Sequence, residues 1–403
     1  MSSLRRSQPL LALALAGLVA WGSAGVASAS GDDDQAGQRL PTRGPVGTSD
    51  ERGVQRPLDL VGGLLFDKPI IDGDFADPYA LAEPDSTYVY ATNTVDANVP
   101  VLKLPKNATS TATYLGDALP TLPGWTAKGR QWAPSVWARD DGTFVLYYAT
   151  PASTAPAARM CISRATAKEP GGPFTDDSSS AFICPLSQGG AIDPSVYVDK
   201  GVPYLLWKAD GNCCSLPTTI YSQRLSADGT DVAAAPTKLI DATQTWQGDL
   251  IEGPAMIRQG SRHYLFYSAN DWNTTRYAIG VATCESVEGP CRATIDTPWM
   301  DSQAFAKGPG GEEFSQAPNG EIWMVHHGWL PDQAGTPDGQ RRLYLDRISF
   351  HGGDELPTRS GTLAVEEALL EDAGFLALLA GALVGAVMVA GAVWRSRRKN
   401  DSQ

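Results

Sequence analysis

One pattern limits the fold of this chain more than any other: a proline followed ten residues later by an aromatic residue recurs about every sixty residues. The pairs are Pro78 with Tyr88, Pro134 with Phe144, Pro194 with Tyr204 and Pro254 with Tyr264. Successive prolines lie 56, 60 and 60 residues apart. A fifth copy lacks the proline, yet Trp323 follows Tyr264 by 59 residues and keeps the phase. A regular period of this length predicts a repeat architecture.

Each copy predicts the same succession of short β-strands. A first strand leads into a polar turn such as RDDG or VDKG, which is followed by an aromatic second strand such as TFVLYYAT or HYLFYSAN. A third strand such as MCISRATA or AIGVATC completes the unit. Units with three or four strands are typical of propeller blades. The sequence therefore predicts an all-β, five-bladed β-propeller over residues 58–352, with an irregular β-sandwich as the alternative.

Carboxylates recur at one position of this repeat. The residues directly before the four prolines are Asp77, Ala133, Asp193 and Gly253, and Glu252 precedes the last of these. Because equivalent strand ends of a propeller converge at one mouth of the central channel, the carboxylates of three blades should lie close together. Taken singly, each has another explanation as a turn or strand-end cap. Taken together, they predict an acidic cluster on the channel axis.

These motifs resemble glycoside hydrolase family 43, which comprises five-bladed propeller arabinanases, arabinofuranosidases and xylosidases. GDFADPYAL, AIDPSVYVD and LIEGPAMI resemble the family's first-, third- and fourth-blade motifs, and WAPSVWARDDGTFVLYYAT its second-blade signature. The resemblance implies that Asp77 is the general base and Glu252 the general acid. It also implies that Asp193 modulates the pKa of the acid and orients it. The resemblance covers residues 66–352.

Three further residues are candidates for contact with substrate. RRLYLDRISF resembles the last-blade motif, which implies that Arg341, with Arg342 as its rival, contacts substrate. Trp132 offers an apolar face to a sugar ring or packs between blades. The chain has GPGG at 308–311 where the family often has GPGH, so a structural calcium in the central channel is in doubt. His327, on the following strand, is a candidate for the channel or for substrate contact, and no cofactor is expected.

A pair of carboxyl groups suits hydrolysis of a glycosidic bond. One group protonates the leaving oxygen and the other activates water, and in inverting enzymes the two stand roughly 6.5–9.5 Å apart. The resemblance to family 43 implies an inverting enzyme that acts on arabinose- or xylose-containing polysaccharide. The sequence leaves open which sugar is cleaved and whether the cut is endo or exo. A fructan-active propeller enzyme and a carbohydrate-binding propeller without catalysis are the alternatives.

Both ends of the chain carry targeting signals. Residues 1–29 combine a basic start, an apolar run and an A-x-A site ending at Ala29, which is typical of a signal peptide. The Arg5-Arg6 pair leaves the export route open. Residues 374–394 carry no charge over 21 residues and predict a transmembrane helix. The basic tail 395–403 should stay cytoplasmic, so the protein should be exported and anchored at the cell surface.

Composition and cysteines agree with an extracellular protein. Residues 30–57 and 353–373 are polar and predict linkers, the first of them disordered. Export makes the six cysteines disulfide candidates: Cys161 with Cys184 and Cys284 with Cys291, whereas Cys213 and Cys214 could pair with each other, pair elsewhere or stay reduced. The formal net charge of −13 disfavours nucleic acid as a partner. We expect a monomer.

Overall fold

In the computed structural model, the described residues run from 69 to 360, apart from 72, 106–111, 156, 304–305, 317–319 and 352–354. The strands of this part of the chain form five antiparallel sheets in sequence order. The first two sheets contain β1 (Tyr79–Ala82), β2 (Ser86–Tyr90), β3 (Pro100–Pro105) and β4 (Thr113–Asp117), then β5 (Trp132–Ala138), β6 (Phe144–Pro151) and β7 (Met160–Ala167). The third contains β8 (Ala191–Asp199), β9 (Val202–Ala209), β10 (Thr219–Arg224) and β11 (Thr237–Asp241).

The fourth and fifth sheets repeat the same meander. They contain β12 (Ile251–Gln259), β13 (Arg262–Ala269), β14 (Ala278–Cys284) and β15 (Cys291–Ala293), then β16 (Lys307–Gln316), β17 (Ile322–Trp329), β18 (Arg341–Ser349) and β19 (Thr358–Ser360). Short 3-10 helices occupy Leu186–Gln188, Gly211–Cys214 and Thr245–Gln247. Each sheet is one blade, so the predicted all-β, five-bladed propeller is confirmed.

The core lies between the blades rather than at one centre. Separate clusters of buried apolar side chains join each sheet to its neighbour, as where Phe266 of the fourth blade meets Met324 of the fifth. Val89 of the first blade packs in one cluster with Val325 and Leu343 of the last, and this closes the ring. Every residue of β6 is buried, and each large apolar side chain buried in this way contributes about 1.5–3 kcal/mol.

A β-bulge on the innermost strand explains the sequence repeat. The register shifts near the start of the inner strand in the second to fifth blades. The backbone is left-handed at the equivalent position of every blade, with φ of 48°, 42°, 54°, 54° and 59° at Asp77, Ala133, Asp193, Gly253 and Gly311. A bulge bends the strand and redirects a side chain. In the fifth blade Glu312, rather than a proline, follows this residue.

The last blade extends beyond its predicted end at residue 352. Thr358–Ser360 forms its outer strand and pairs with Arg347–Ser349, and the indole of Trp299 donates a hydrogen bond to the Pro357 carbonyl. A three-residue strand has too few residues to show alternation, so the sequence pattern missed it. The chain start is also tied to this blade, because the Ile70 amide donates to the Leu343 carbonyl at 2.8 Å.

The structure bears on the cysteines and on part of the targeting predictions. The disulfides Cys161–Cys184 and Cys284–Cys291 are confirmed, and Cys213 and Cys214 form a vicinal disulfide. No helix within the described ranges is long and apolar enough to cross a membrane. The predicted signal peptide 1–29, linker 30–57, transmembrane segment 374–394 and tail 395–403 lie outside the described residues.

Candidate active site

The carboxylates predicted from the repeat meet around Gly311. The amide of Gly253 donates to Oδ2 of Asp193 at 2.9 Å, which joins the start of the fourth blade to the third. A Cβ built on Gly311 would lie 3.0 Å from the Cα of Asp77, and one on Gly253 would lie 3.8 Å from the Cα of Gly311. The inner ends of the first, third, fourth and fifth blades are therefore close together.

Asp77 is held as a carboxylate by two partners. Thr92 donates its hydroxyl to Oδ2 at 2.6 Å, and the Arg341 guanidinium donates to Oδ1 at 3.2 Å. Burial alone would oppose ionisation, but the positive charge of Arg341 and the Thr92 hydroxyl hold the pKa of Asp77 well below its usual range. Asp77 is thus ionised at neutral pH and is able to accept a proton from water.

His327 lies against Asp77 in its neutral form. Its Nδ1 accepts the backbone N–H of Asp77 at 3.1 Å and lies 3.3 Å from Oδ1 of the same residue. Burial lowers the pKa of His327 to about 4, so we assign the contact to the amide hydrogen bond rather than to an ion pair. Nε2 then carries the ring proton, and it has no hydrogen-bond partner among the described residues.

Glu252 is fixed through both of its oxygens. The Lys208 ammonium lies 2.7 Å from Oε2 and the Tyr277 hydroxyl donates to Oε1 at 2.8 Å. The Tyr277 ring stacks on His327 with centroids 5.8 Å apart, so a chain of contacts connects Glu252 with Asp77. Glu252 is 8% exposed, so it is buried but not completely enclosed.

Asp193 and Glu252 form a coupled pair. Burial and the nearby charge of Glu252 raise the pKa of Asp193 to about 8. Lys208 forms an ion pair with Glu252 beside this group. The sequence predicts that repulsion between the two acids keeps a proton on Glu252, and this stays a prediction.

The other predicted site residues are buried near this cluster. Arg341 is 4% exposed, and its guanidinium lies 4.7 Å from the Trp272 ring centroid besides contacting Asp77. Trp132 is half-buried and packs against Met160 and Ile192, so its packing between blades is established. Contact of either residue with a substrate stays a prediction.

Sequence reasoning missed several residues of the cluster. Lys208, Tyr277 and Thr92 match no motif, although a lysine inside the apolar run YLLWKA was a usable signal, since a buried ammonium needs a charged partner. Glu312 and Glu313 are also buried there. Their carboxylates accept hydrogen bonds from Ser268 and Ser195, each at 2.7 Å.

The glycines of GPGG have a steric explanation. A side chain on Gly310 would overlap the ring of Tyr277, and a Cβ on Gly311 would lie 2.7 Å from Nδ1 of His327. A histidine at 311 would therefore collide with the His327 ring. Within the described residues, no group of three His, Cys, Asp or Glu side chains could hold a metal ion. The donor set does not fit a calcium ion bound directly by the protein, and no step below uses one.

Fold and site together define a five-bladed propeller enzyme with an acidic centre on the channel axis. The sequence model of glycosyl hydrolases family 43 matches residues 66–354, and the chain belongs to this family.

Relatives agree with this assignment. The chain is 24% identical over 303 residues to the extracellular exo-α-(1→5)-L-arabinofuranosidase of Streptomyces avermitilis, and the match covers 72% of this chain and 62% of that protein, less than two thirds of it. It is 26% identical over 261 residues to the probable arabinan endo-1,5-α-L-arabinosidase A of Aspergillus flavus, covering 60% and 78%. A thermostable family-43 glycoside hydrolase of known crystal structure is 27% identical, with a TM-score of 0.63 over 72% of this chain and 94% of that one.

Proposed function

We propose that this enzyme hydrolyses α-L-arabinofuranosyl linkages of arabinan outside the cell, with inversion at the anomeric carbon. The grouping of Asp77, Asp193 and Glu252 at one end of the channel carries the proposal. The arabinan-directed names of the relatives favour arabinose over xylose. Xylosides stay the alternative substrates.

The proposed reaction uses the two halves of the cluster separately. Asp77, ionised and held by Thr92 and Arg341, takes a proton from the attacking water. Glu252 gives its proton to the leaving oxygen as the bond from the anomeric carbon to that oxygen breaks. Asp193, whose Oδ2 accepts a hydrogen bond from the Gly253 amide, is proposed to orient the acid. Arg341, Trp132 and His327 are proposed to contact the sugar.

Activity assays test these roles. The purified full-length chain, Asp77→Asn and Glu252→Ala are compared on linear α-1,5-arabinan, 4-nitrophenyl α-L-arabinofuranoside and 4-nitrophenyl β-D-xyloside. We expect each variant to lose at least about a hundredfold in kcat on arabinan. The control, Asp141→Asn, removes an exposed carboxylate from the turn between β5 and β6, away from the site. Full activity of Glu252→Ala, or an inactive parent that binds arabinan, would overturn the proposal in favour of another site or of a binding propeller.

The stereochemistry has its own measurement. Proton NMR of the first product should show the anomer opposite to that of the substrate, because water attacks from the face away from the leaving oxygen. Retention would point to a covalent intermediate and would exclude Asp77 as a general base. It would favour a retaining mechanism such as that of the fructan-active alternative.

We further propose that residues 1–29 direct export, that 30–57 and 361–373 are linkers, and that 374–394 anchor the enzyme with the tail 395–403 inside. Truncation after residue 360 keeps every described strand. It should move activity from the membrane fraction to the medium. Activity that stays with the membranes after truncation would contradict the anchor.

A further inference from the structure

Lys208 is a basic residue that lies against Glu252, and it is fully buried. It lies on β9 opposite Ile192, the residue before Asp193. Its ammonium lies 2.7 Å from Oε2 of Glu252 and 3.4 Å from Oδ1 of Asp210. One ammonium is thus shared by two carboxylates.

Lys208 stays charged in this position. Burial alone would lower its pKa, but Glu252, Asp210 and Asp193 raise it above the ordinary value. A buried ammonium with no carboxylate beside it would be strongly destabilising. The arrangement therefore places a permanent positive charge at the oxygen that becomes negative when Glu252 gives up its proton.

We propose that Lys208, held by Asp210, is a positioning residue that stabilises the negative charge left on Glu252 after proton transfer to the leaving oxygen. The inference rests on the proposed role of Glu252 as general acid. In this step the glycosidic C–O bond breaks and the leaving oxygen takes the proton of Glu252. Water supplies the new oxygen at the anomeric carbon and gives a proton to Asp77. Stabilising charge that develops in the transition state raises the rate.

Other groups face Glu252 and set the background for its titration. The Tyr277 hydroxyl contacts Glu252, and Asp193 lies near it. Asp77 and His327 lie on the other side of Tyr277, and Glu312 accepts a hydrogen bond from Ser268. None of these changes in the variants used below. The alkaline limb of the pH profile reports the coupled Asp193–Glu252 pair.

The test uses two substrates whose leaving groups differ in their need for an acid. Arabinan requires protonation of a poor leaving group, whereas 4-nitrophenolate leaves with little help. In the full-length enzyme, Lys208→Met should lower kcat on linear α-1,5-arabinan by about a hundredfold and on 4-nitrophenyl α-L-arabinofuranoside by no more than about threefold. Lys208→Arg, which keeps the charge, should recover much of the loss. Lys103→Met, an exposed lysine of β3, is the matched control.

The pH profile of kcat/KM gives a second readout that a purely structural role would not move. Lys208→Met removes a positive charge, so the acid keeps its proton to higher pH and the alkaline limb should move up by about one pH unit. Asp210→Asn removes a negative charge beside Lys208, so the alkaline limb should move to lower pH. Opposite shifts in the two variants support the proposal.

The outcomes separate this inference from the proposed function. The proposed role of Lys208 would be overturned if Lys208→Met lowered kcat equally on both substrates. It would also be overturned if the alkaline limb of the pH profile stayed in place in both variants. If Lys208→Met fails to fold, as judged by circular dichroism, Asp210→Asn alone decides the question through the direction of its shift. If Glu252→Ala shows no dependence on the leaving group, the proposed general acid itself is wrong, and the result speaks against the proposed function instead.

Discussion

Gly311 is the position at which the fold and the site constrain each other most directly, and Gly311→Ala tests that constraint. The backbone there has φ of +59°, and an added Cβ would lie 2.7 Å from Nδ1 of His327 and 3.0 Å from the Cα of Asp77. A side chain must therefore accept a left-handed backbone and displace a buried ring or the strand that carries Asp77. Gly260→Ala is the matched control, since φ is +62° and no atom lies within 4 Å.

The expected magnitude has two parts. The left-handed conformation costs an L-residue about 1–2 kcal/mol in both variants. Overpacking adds about 1–3 kcal/mol in Gly311→Ala alone. Domains of about 150–250 residues lose about 2–4 °C in Tm for each kcal/mol, and larger ones lose less. Gly311→Ala should therefore melt about 2–5 °C below Gly260→Ala. Differential scanning calorimetry at neutral pH measures the difference.

Activity provides the second half of the test. A displacement of about 1 Å in a catalytic group costs on the order of a hundredfold in rate. We expect Gly311→Ala to lose at least tenfold in kcat on arabinan, whereas Gly260→Ala, on the turn between β12 and β13, keeps the parent rate. Equal melting temperatures and equal rates for the two variants would refute the steric argument at Gly311.

Two further predictions concern stability. Removing the Cys161–Cys184 disulfide with a double serine variant should cost about 3.4 kcal/mol in chemical unfolding. The cost for Cys284–Cys291 should be about 1 kcal/mol lower, because the sequence separations are 23 and 7. A smaller cost for the longer loop would contradict the loop-entropy argument. Burial raises the pKa of Glu313 from 4.5 to about 7, so its contribution to stability is fully present below pH ~4.5 and is lost as the pH rises through 7. Glu313→Gln should therefore reduce the fall in unfolding free energy between pH 5 and 7 by about 2 kcal/mol. If urea titrations at these two pH values show the same fall in the variant and the parent, Glu313 is not the group responsible.

Most of the fold was predictable because each blade repeats a strong local signal. The aromatic second strands are buried almost throughout, as in β6, so hydrophobicity and β-propensity agree along them. The fifth blade shows where the signal weakens. Its inner strand keeps the bulge at Gly311 but carries Glu312 where the other blades carry proline. The phase of Trp323, rather than the motif, identified that blade.

The site was only partly predictable, because the residues that hold its carboxylates in place lie outside the repeated motif. Asp77, Asp193 and Glu252 were visible in sequence since they share one phase of the repeat. Lys208 lies on a second strand and Tyr277 in a loop before a third strand, and both reach Glu252 through tertiary packing alone. The ion pair between Lys208 and Glu252 joins the third blade to the fourth, and no spacing rule could have shown it.

The left-handed bulge itself is a property of the propeller and not a mark of catalysis. Ala133 holds φ of 42° at the same position of the second blade, although its methyl group has no chemistry to offer. Strained backbone often accompanies functional sites, but the strain at Ala133 shows that the inner strand adopts this bend whatever side chain it carries. Asp77 and Asp193 are therefore functional candidates because of their neighbours. Asp77 is bound by Arg341 and Thr92. Asp193 lies near Glu252, which pairs with a lysine. The fold supplies five equivalent positions facing the axis, and the partners at each position determine which of them can transfer a proton.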